Sequence, residues 1–261
     1  MLDRLRHRLS AAAPLEQAAL AGEALEGTCP VCSAAVQFGA FGDNPREAGR
    51  CGACGATNRQ RQIGFVLRRI LGVPSAEALV PPASVRIVNT EARGPVHTVL
   101  SCHPAYIATE YWGPEHEGGS TVNGTRHEDL QALSFADAST DIMLSSDVLE
   151  HVPDAYAAHR EIYRVLQPGG WHVFTVPFHE AEADDVRAVL RGGRPVLLAP
   201  ALYHEDPIRP QDGTLVWRIF GHEMLERLRA IGFTVRLHRL FVPGCGIIGP
   251  GAIVFAARKR A

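Results

Sequence analysis

The stretch from residue 137 to 178, DASTDIMLSSDVLEHVPDAYAAHREIYRVLQPGGWHVFTVPF, restricts the fold more than any other part of the chain. Ile142, Met143 and Leu144 make a short buried-strand run, and Ser145, Ser146 and Asp147 follow at its carboxyl end. From Tyr156 to Leu166 the apolar residues Tyr156, Ile162, Tyr163 and Leu166 recur at helical spacing with charges between them, which predicts an amphipathic helix. Pro168-Gly169-Gly170 stops it, since proline cannot continue a helix and glycine accepts positive φ. Trp171 to Val176 then alternates and β-branches as a strand does. Strand, helix and strand joined by a short return form a right-handed βαβ unit of a parallel sheet. Ligands of such sheets sit at the carboxyl ends of the strands, so Ser145 to His151, with Ser146 among them, face a site.

Size and charge narrow the alternatives. A chain of 261 residues buries a sizeable core as one large domain or two modest ones. Its 46% hydrophobic and 21% charged residues are those of an ordinary globular protein. A formal net charge of −2 makes no polyelectrolyte case for nucleic acid or an anionic membrane. MLDRLRHRLS is charged from its third residue, unlike a secretory signal, and no run approaches the roughly 20 apolar residues that span a bilayer. The expected location is the cytoplasm. There, six cysteines serve better as metal ligands or free thiols than as disulfides.

Residues 1–27, rich in Ala, Leu, Arg and Glu, read as a largely helical arm that Pro14 breaks or restarts. Cys29-Pro-Val-Cys32 and Cys51-Gly-Ala-Cys54 follow, eighteen residues apart. Two such knuckles suit a tetrahedral thiolate site, and a full set of four sulfurs leaves no position for water or substrate, so a bound Zn2+ would be structural. Gly52 and Gly55 are expected to permit the tight turn, and the segment between the pairs forms the hairpin of a zinc ribbon over 28–57. Residues 58–82 give a basic amphipathic helix (57–72) with an exposed charged face, then a linker marked by Pro74, Pro81 and Pro82. The main domain is expected over 83–261.

Within it, Val85 to Val88 read as the first strand and Tyr106 to Glu110 as the second. A carboxylate at the tip of that second strand matches a vicinal diol, as in dinucleotide folds, so Glu110 is a candidate for ribose hydroxyls. Tyr111 and Trp112 follow it and could flank an adenosine or a cation. Gly113 to Gly124 reads as a mobile rim loop. Residues 178–220 are longer than an ordinary connection and read as a substrate lid. His204 and Asp206 within it could bind a second metal but lack a third ligand. Gly221 to Ile231 is the last helix, stopped by Gly232, and Phe233 to Leu240 and Ala252 to Ala257 are closing strands around a flexible loop, Pro243 to Gly251. Cys102 and Cys245 read as incidental thiols.

The block DLQALSFADASTDIMLSSDVLEHVPD, with HREIYRVLQPGGWHVFTVPF after it, resembles the class I S-adenosylmethionine (SAM)-dependent methyltransferases, and most closely a subset with an N-terminal zinc ribbon. The resemblance implies a Rossmann-like α/β sheet of seven strands, the last antiparallel, and SAM as cofactor. Most members have an acidic residue and a Gly-x-Gly-x-Gly turn after the first strand; here Glu91 and Gly94 remain of it. Glu91 then faces the α-ammonium group of SAM, or is a solvated loop acid. Asp129 and Leu130 match the motif whose Asp accepts from the adenine amino group and whose next backbone amide meets the ring; a helix-capping Asp is the alternative. Ser146 falls at the fourth strand's tip.

The implied reaction is in-line methyl transfer to a small-molecule acceptor, in which holding the reactants in place supplies roughly 7–11 kcal/mol. His151 is the candidate base, with a structural or capping role as its alternative. Other readings keep SAM but use its aminobutyrate arm or a cyclisation, or make the chain a non-catalytic binding module. The charge balance and the lack of an aromatic-basic patch speak against an RNA substrate. Oligomeric state stays open.

Overall fold

Thr57 and Gln60 start a helix by satisfying each other's backbone donors. Thr57 Oγ1 accepts from the Gln60 amide at 3.4 Å, and Gln60 Oε1 accepts from the Thr57 amide at 3.0 Å, a capping box. The helix, α1 (Asn58–Leu71), ends where Gly72 turns left-handed at φ 70°. The computed structural model describes residues 14, 16–74, 77–205 and 213–261. They divide into two units, one of residues up to Ala83 with Arg93–Pro104 and Leu237–Val254, the other of Ser84–Ala92, Ala105–Arg236 and Phe255–Ala261.

In the first unit, β1 (Leu25–Thr28) and β2 (Ala35–Phe38) form an antiparallel hairpin. Most of the expected helical arm lies outside the described residues; residues 16–20 are helical, and its last residues belong to β1. Helix α1 departs from the sequence expectation in its charges. Arg61 and Arg68 are buried, because carbonyl groups rather than water take their donors. Arg61 donates to the carbonyls of Ala56, Cys245 at 3.0 Å and Gly246 at 2.7 Å. Arg68 donates to those of Pro30 at 2.6 Å, Pro74 at 2.6 Å and Glu77 at 2.8 Å. The unit also contains α2 (Gly94–Leu100), opened by Gly94 at φ 82°.

The loop expected to be a flexible rim, 243–251, is instead core to this unit. Cys245, Ile247 and Ile248 are buried, and Phe65, Leu240 and Val242 pack against the Cys245–Ile247–Ala252 cluster. Close approach depends on glycine on both sides: a Cβ on Gly246 would lie 2.4 Å from the Phe38 ring, and one on Gly27 of β1 would lie 2.0 Å from the Gly244 carbonyl oxygen.

The second unit carries most of an eight-stranded sheet. In chain order its strands are β3 (Ile87–Asn89), β4 (Tyr106–Glu110), β5 (Thr121–Val122), β6 (Thr125–His127), β7 (Thr140–Ser146) and β8 (Leu166–Thr175). Helix α3 (Ala155–Val165) links the last two, its first turn capped by Asp154 Oδ1, which accepts from the Ala157 amide at 2.8 Å. α3 ends before Pro168-Gly-Gly: Leu166 is already extended, and Lys259 Nζ donates to the terminal carbonyls of Tyr163 and Leu166 at 2.8 and 2.7 Å. The sheet therefore takes up the Pro-Gly-Gly segment as the start of β8.

Residues 178–220 form small antiparallel pairs. β9 (Asp185–Val186) pairs with β14 (Arg218–Ile219), β10 (Ala188–Arg191) with β11 (Arg194–Leu197), and β12 (Tyr203–His204) with β13 (Thr214–Leu215). Helix α4 (Glu223–Ile231) then stops at Gly232, φ 124°, before β15 (Phe233–Arg239) and β16 (Ile253–Lys259).

The sheet order is β15-β16-β8-β7-β3-β4-β6-β5. Strands β8, β7, β3, β4 and β6 run parallel, and β16 is antiparallel to β8. The strand beyond the expected seven is β5. It comes from the supposed mobile loop 113–124, where Asn123 and Gly124 take φ 49° and 78° and close a two-residue hairpin onto β6. Buried Ile87, Val88, Ile142, Met143, Leu144, Val173 and Phe174 fill the centre, as expected of strands covered on both faces.

Candidate functional site

The ladder register decides which side chains share the sheet's carboxyl edge. Asn89 of β3 is level with Ala108 of β4 and Leu144 of β7. Glu110 and Ser146 are the last residues of β4 and β7, and Glu91 lies in the loop two residues past the end of β3, so the three follow neighbouring strands at one edge. Glu110 is level with His127 of β6, and Asp129 lies two residues beyond. The sequence candidates Glu91, Glu110, Tyr111, Asp129, Leu130 and Ser146 thus belong to one edge of one unit. Gly94 does not: it belongs to the other unit.

The edge is pre-tied by its own polar groups. Glu110 Oε1 accepts from the Ala92 amide at 2.9 Å, which holds the loop after β3 against the tip of β4. Asn89 Nδ2 donates to the Glu91 carbonyl at 2.8 Å and to the Tyr106 hydroxyl at 3.0 Å. Burial, with the charges of Glu91 and Glu110 adding to it, pushes the Tyr106 phenol up to about 12. Tyr111 is 40% exposed, its ring 5.4 Å from that of His127. His127 Nδ1 accepts from the Trp112 amide at 3.0 Å.

Asp129 is engaged locally. Its Oδ1 accepts from the Gln131 amide at 2.8 Å, a turn closure that sets the backbone of Leu130, which is buried. The neighbouring Glu128 was not singled out in the sequence. Its buried carboxylate accepts from Arg126 Nε at 2.8 Å, the Ser134 amide at 2.9 Å and Ser134 Oγ at 2.6 Å, so it fixes the loop after β6.

The cysteines converge in the first unit. The sulfurs of Cys29, Cys32, Cys51 and Cys54 all lie within 4.8 Å of one another. The pairs Cys29–Cys54 and Cys32–Cys51 are each 3.8 Å apart. A disulfide requires about 2.05 Å. A tetrahedral ion with metal–sulfur bonds of about 2.3 Å puts its sulfurs about 3.8 Å apart, so the donor set fits a thiolate-bound ion. The two knuckles repeat each other's backbone. Cys29 donates to the Ala34 carbonyl at 3.0 Å and its own carbonyl accepts from Ser33 at 2.8 Å; Cys51 does the same with Ala56 and Gly55, both at 2.9 Å. The left-handed residue of each is Ser33 (φ 66°) and Gly55 (φ 76°), not Gly52. Backbone amides of both knuckles reach the sulfurs: those of Val31 and Cys32 donate to Cys29, that of Ala34 to Cys32 and that of Ala56 to Cys54.

His151 closes the short 3-10 turn Leu149–His151 after β7. Its Nδ1 is 2.9 Å from the Leu215 carbonyl. A carbonyl only accepts, so Nδ1 carries the proton and Nε2 the lone pair. Nε2 is 3.2 Å from His204 Nδ1. The other residue paired with His204 in the sequence reading, Asp206, lies outside the described residues. Among the described residues no helix is long and apolar enough to cross a membrane.

Residues 96–174 match the family described as "Methyltransferase domain". This part of the chain is thus similar to a transferase domain, and the mixed sheet with its antiparallel β16 is Rossmann-like. An uncharacterized methyltransferase of Mycobacterium sp. (strain JLS) is 40% identical over 74 residues, 25% of this chain and 29% of that protein. The arsenite methyltransferase of Aquipseudomonas alcaligenes is 39% identical over 82 residues, 30% of this chain and 23% of that protein. The chain therefore spans less than a third of the curated relatives it matches. Among solved structures, a Burkholderia thailandensis 1,6-didemethyltoxoflavin-N1-methyltransferase with S-adenosylhomocysteine bound is a distant likeness: 20% identity, TM-score 0.44, 78% of this chain and 79% of that one.

Proposed function

We propose that the chain is a SAM-dependent methyltransferase acting on a small-molecule acceptor, with its four-cysteine cluster holding a structural Zn2+. The observation that carries this reading is that Glu110 and Ser146 end the two strands flanking β3, and that the loop after β3, which carries Glu91, is tied to Glu110 through the Ala92 amide at 2.9 Å, within or beside the matched domain. SAM, when bound, supplies a methyl group on a positively charged sulfur. The chain's part is to hold it: Glu110 accepts from the ribose hydroxyls, Glu91 faces the ammonium group, Asp129 and the Leu130 amide meet the adenine, and Tyr111 flanks the nucleoside. Two carboxylates beside a sulfonium favour binding of the charged cofactor by charge alone. The acceptor-side residue is His151, through its Nε2 lone pair. A net charge of −2 supports a small acceptor over a polyanionic one.

Calorimetric titration with SAM and S-adenosylhomocysteine tests this. Glu110→Gln keeps the size and loses the charge. Hydrogen bonds to a charged group contribute about 1.5–3 kcal/mol, so affinity should fall roughly 10- to 150-fold. A wild-type chain that gives no heat with either ligand would end the proposal.

A further inference from the structure

A second cluster of ligating atoms lies in the sheet-bearing unit. Glu150 and His151 come from the 3-10 turn after β7, His204 from β12, 53 residues downstream in number. Glu150 Oε1 is 3.7 Å from His151 Nε2 and 3.8 Å from His204 Nδ1, and the two nitrogens are 3.2 Å apart. The three atoms form one triangle. An ion bound to nitrogen and oxygen at about 2.0–2.2 Å in tetrahedral geometry spaces its ligands about 3.3–3.6 Å apart, which is the size of this triangle to within a few tenths of an ångström.

Three further features suit an ion. The His151 Nδ1–H donates to the Leu215 carbonyl, the outer hydrogen bond that fixes the tautomer of a ligating imidazole. The two imidazoles meet edge to face, at 83° between planes, so neither stacks over the other's nitrogen. The segment that supplies Leu215 also anchors the turn, since the Trp217 amide donates to the Glu150 carbonyl at 2.7 Å. Exposure is graded across the cluster: the Glu150 side chain is fully buried, that of His151 16% exposed and that of His204 39% exposed. The carboxylate thus lies at the inner end and His204 at the outer.

We infer that Glu150, His151 and His204 bind a divalent first-row transition cation, leaving coordination positions for an outside ligand. Two imidazoles and one carboxylate select ions of borderline softness over Mg2+ or Ca2+, and three protein ligands are the pattern of sites that keep a position open. Resting on the methyl-transfer reading, the outside ligand is an oxygen of the acceptor. The new O–CH3 bond forms as the S–CH3 bond breaks, the sulfonium becomes a thioether, and the acceptor proton leaves to solvent. The His151 Nε2 lone pair then acts on the acceptor through the ion, so His151 positions the acceptor oxygen instead of taking its proton directly.

The test uses the full chain with its cysteine cluster loaded with one equivalent of Zn2+. Mn2+, a poor competitor for thiolates, is then titrated while the electron paramagnetic resonance of free Mn2+ is followed. The wild type should take up one equivalent. His204→Ala, at a half-exposed position, and Glu150→Gln should each weaken uptake by at least about tenfold. No uptake by the wild type, together with one Zn2+ per chain when zinc is offered in excess, would overturn the site. Equal uptake by wild type and both variants would overturn it too, by placing the ion elsewhere. S-adenosylhomocysteine binding, measured on the same samples, separates the two readings: ligand binding without Mn2+ uptake sinks the ion site alone, and Mn2+ uptake without ligand binding sinks the methyl-transfer reading alone.

Discussion

His159 offers a quantitative check on the packing beneath the sheet edge. It lies on α3, fully buried, its ring 5.3 Å from Phe174 and 5.5 Å from His172. Burial, helped by the charge of Arg218, pulls its pKa from 6.5 down to about 3. A base whose folded pKa is depressed binds its proton mainly in the unfolded chain. Its contribution to stability is complete above pH 6.5 and is lost as pH falls toward 3. At pH 5 the unfolded imidazole is protonated about thirtyfold over its neutral form while the folded one is not, which amounts to about 2 kcal/mol. His159→Phe removes the titration and keeps a ring among rings. Urea unfolding of both chains at pH 7.5 and pH 5 should therefore show the wild type losing about 2 kcal/mol more than the variant over that interval. The other titrating groups are common to both; His172, whose pKa is lowered first by burial and second by the charge of His159, keeps the larger of those causes in the variant. Equal losses in the two chains would mean that His159 reaches water in the folded state, contrary to the packing described.

The first unit gives three further expectations. Gly27→Ala drives a methyl to 2.0 Å from the Gly244 oxygen and should cost about 1–3 kcal/mol; an unchanged urea midpoint would refute the close approach. Arg61→Met keeps the bulk but strips the Cys245 and Gly246 carbonyls of their donor; at about 1–3 kcal/mol per buried group left unsatisfied, the loss should be measurable by urea and accompanied by faster proteolysis within 243–251. Cys51→Ser removes one of four thiolates, so elemental analysis should find less than one Zn2+ per chain, and a full complement would refute the proposed tetrathiolate site.

Local signals carried much of the fold. The second-strand expectation, 106–110, coincides with β4, because an apolar alternation ending in an acid needs no distant partner to be recognised. The Thr57–Gln60 start and the Gly72 and Gly232 stops are likewise local chemistry. What escaped depends on contacts far apart in sequence. Arg61 looked solvent-facing because two of its three carbonyl acceptors are 184 and 185 residues away. His204 seemed to lack a third ligand because Glu150 and His151 lie more than fifty positions earlier. The β5–β6 hairpin is the exception, since Asn123-Gly124 is itself a hairpin signal hidden in a loop judged by its glycine content. The candidate cofactor residues are read from strand ends and motif, and of them only Gly94 falls in the other unit.

The return of segment 237–254 to the amino-terminal hairpin has a consequence for biogenesis. Asn58 Nδ2 donates to the Ile248 carbonyl across 190 positions at 2.7 Å, so a segment made earlier waits for one made much later. In vectorial folding, where earlier units mature while the remainder is being made, this unit is not complete before residues 237–254 have emerged. Until then Phe38, fully covered in the finished unit and packed against Gly246, has only part of its partners. Cutting the gene at residue 83 would leave both fragments with an exposed apolar seam, and fragments made together should recover solubility that neither has when made alone.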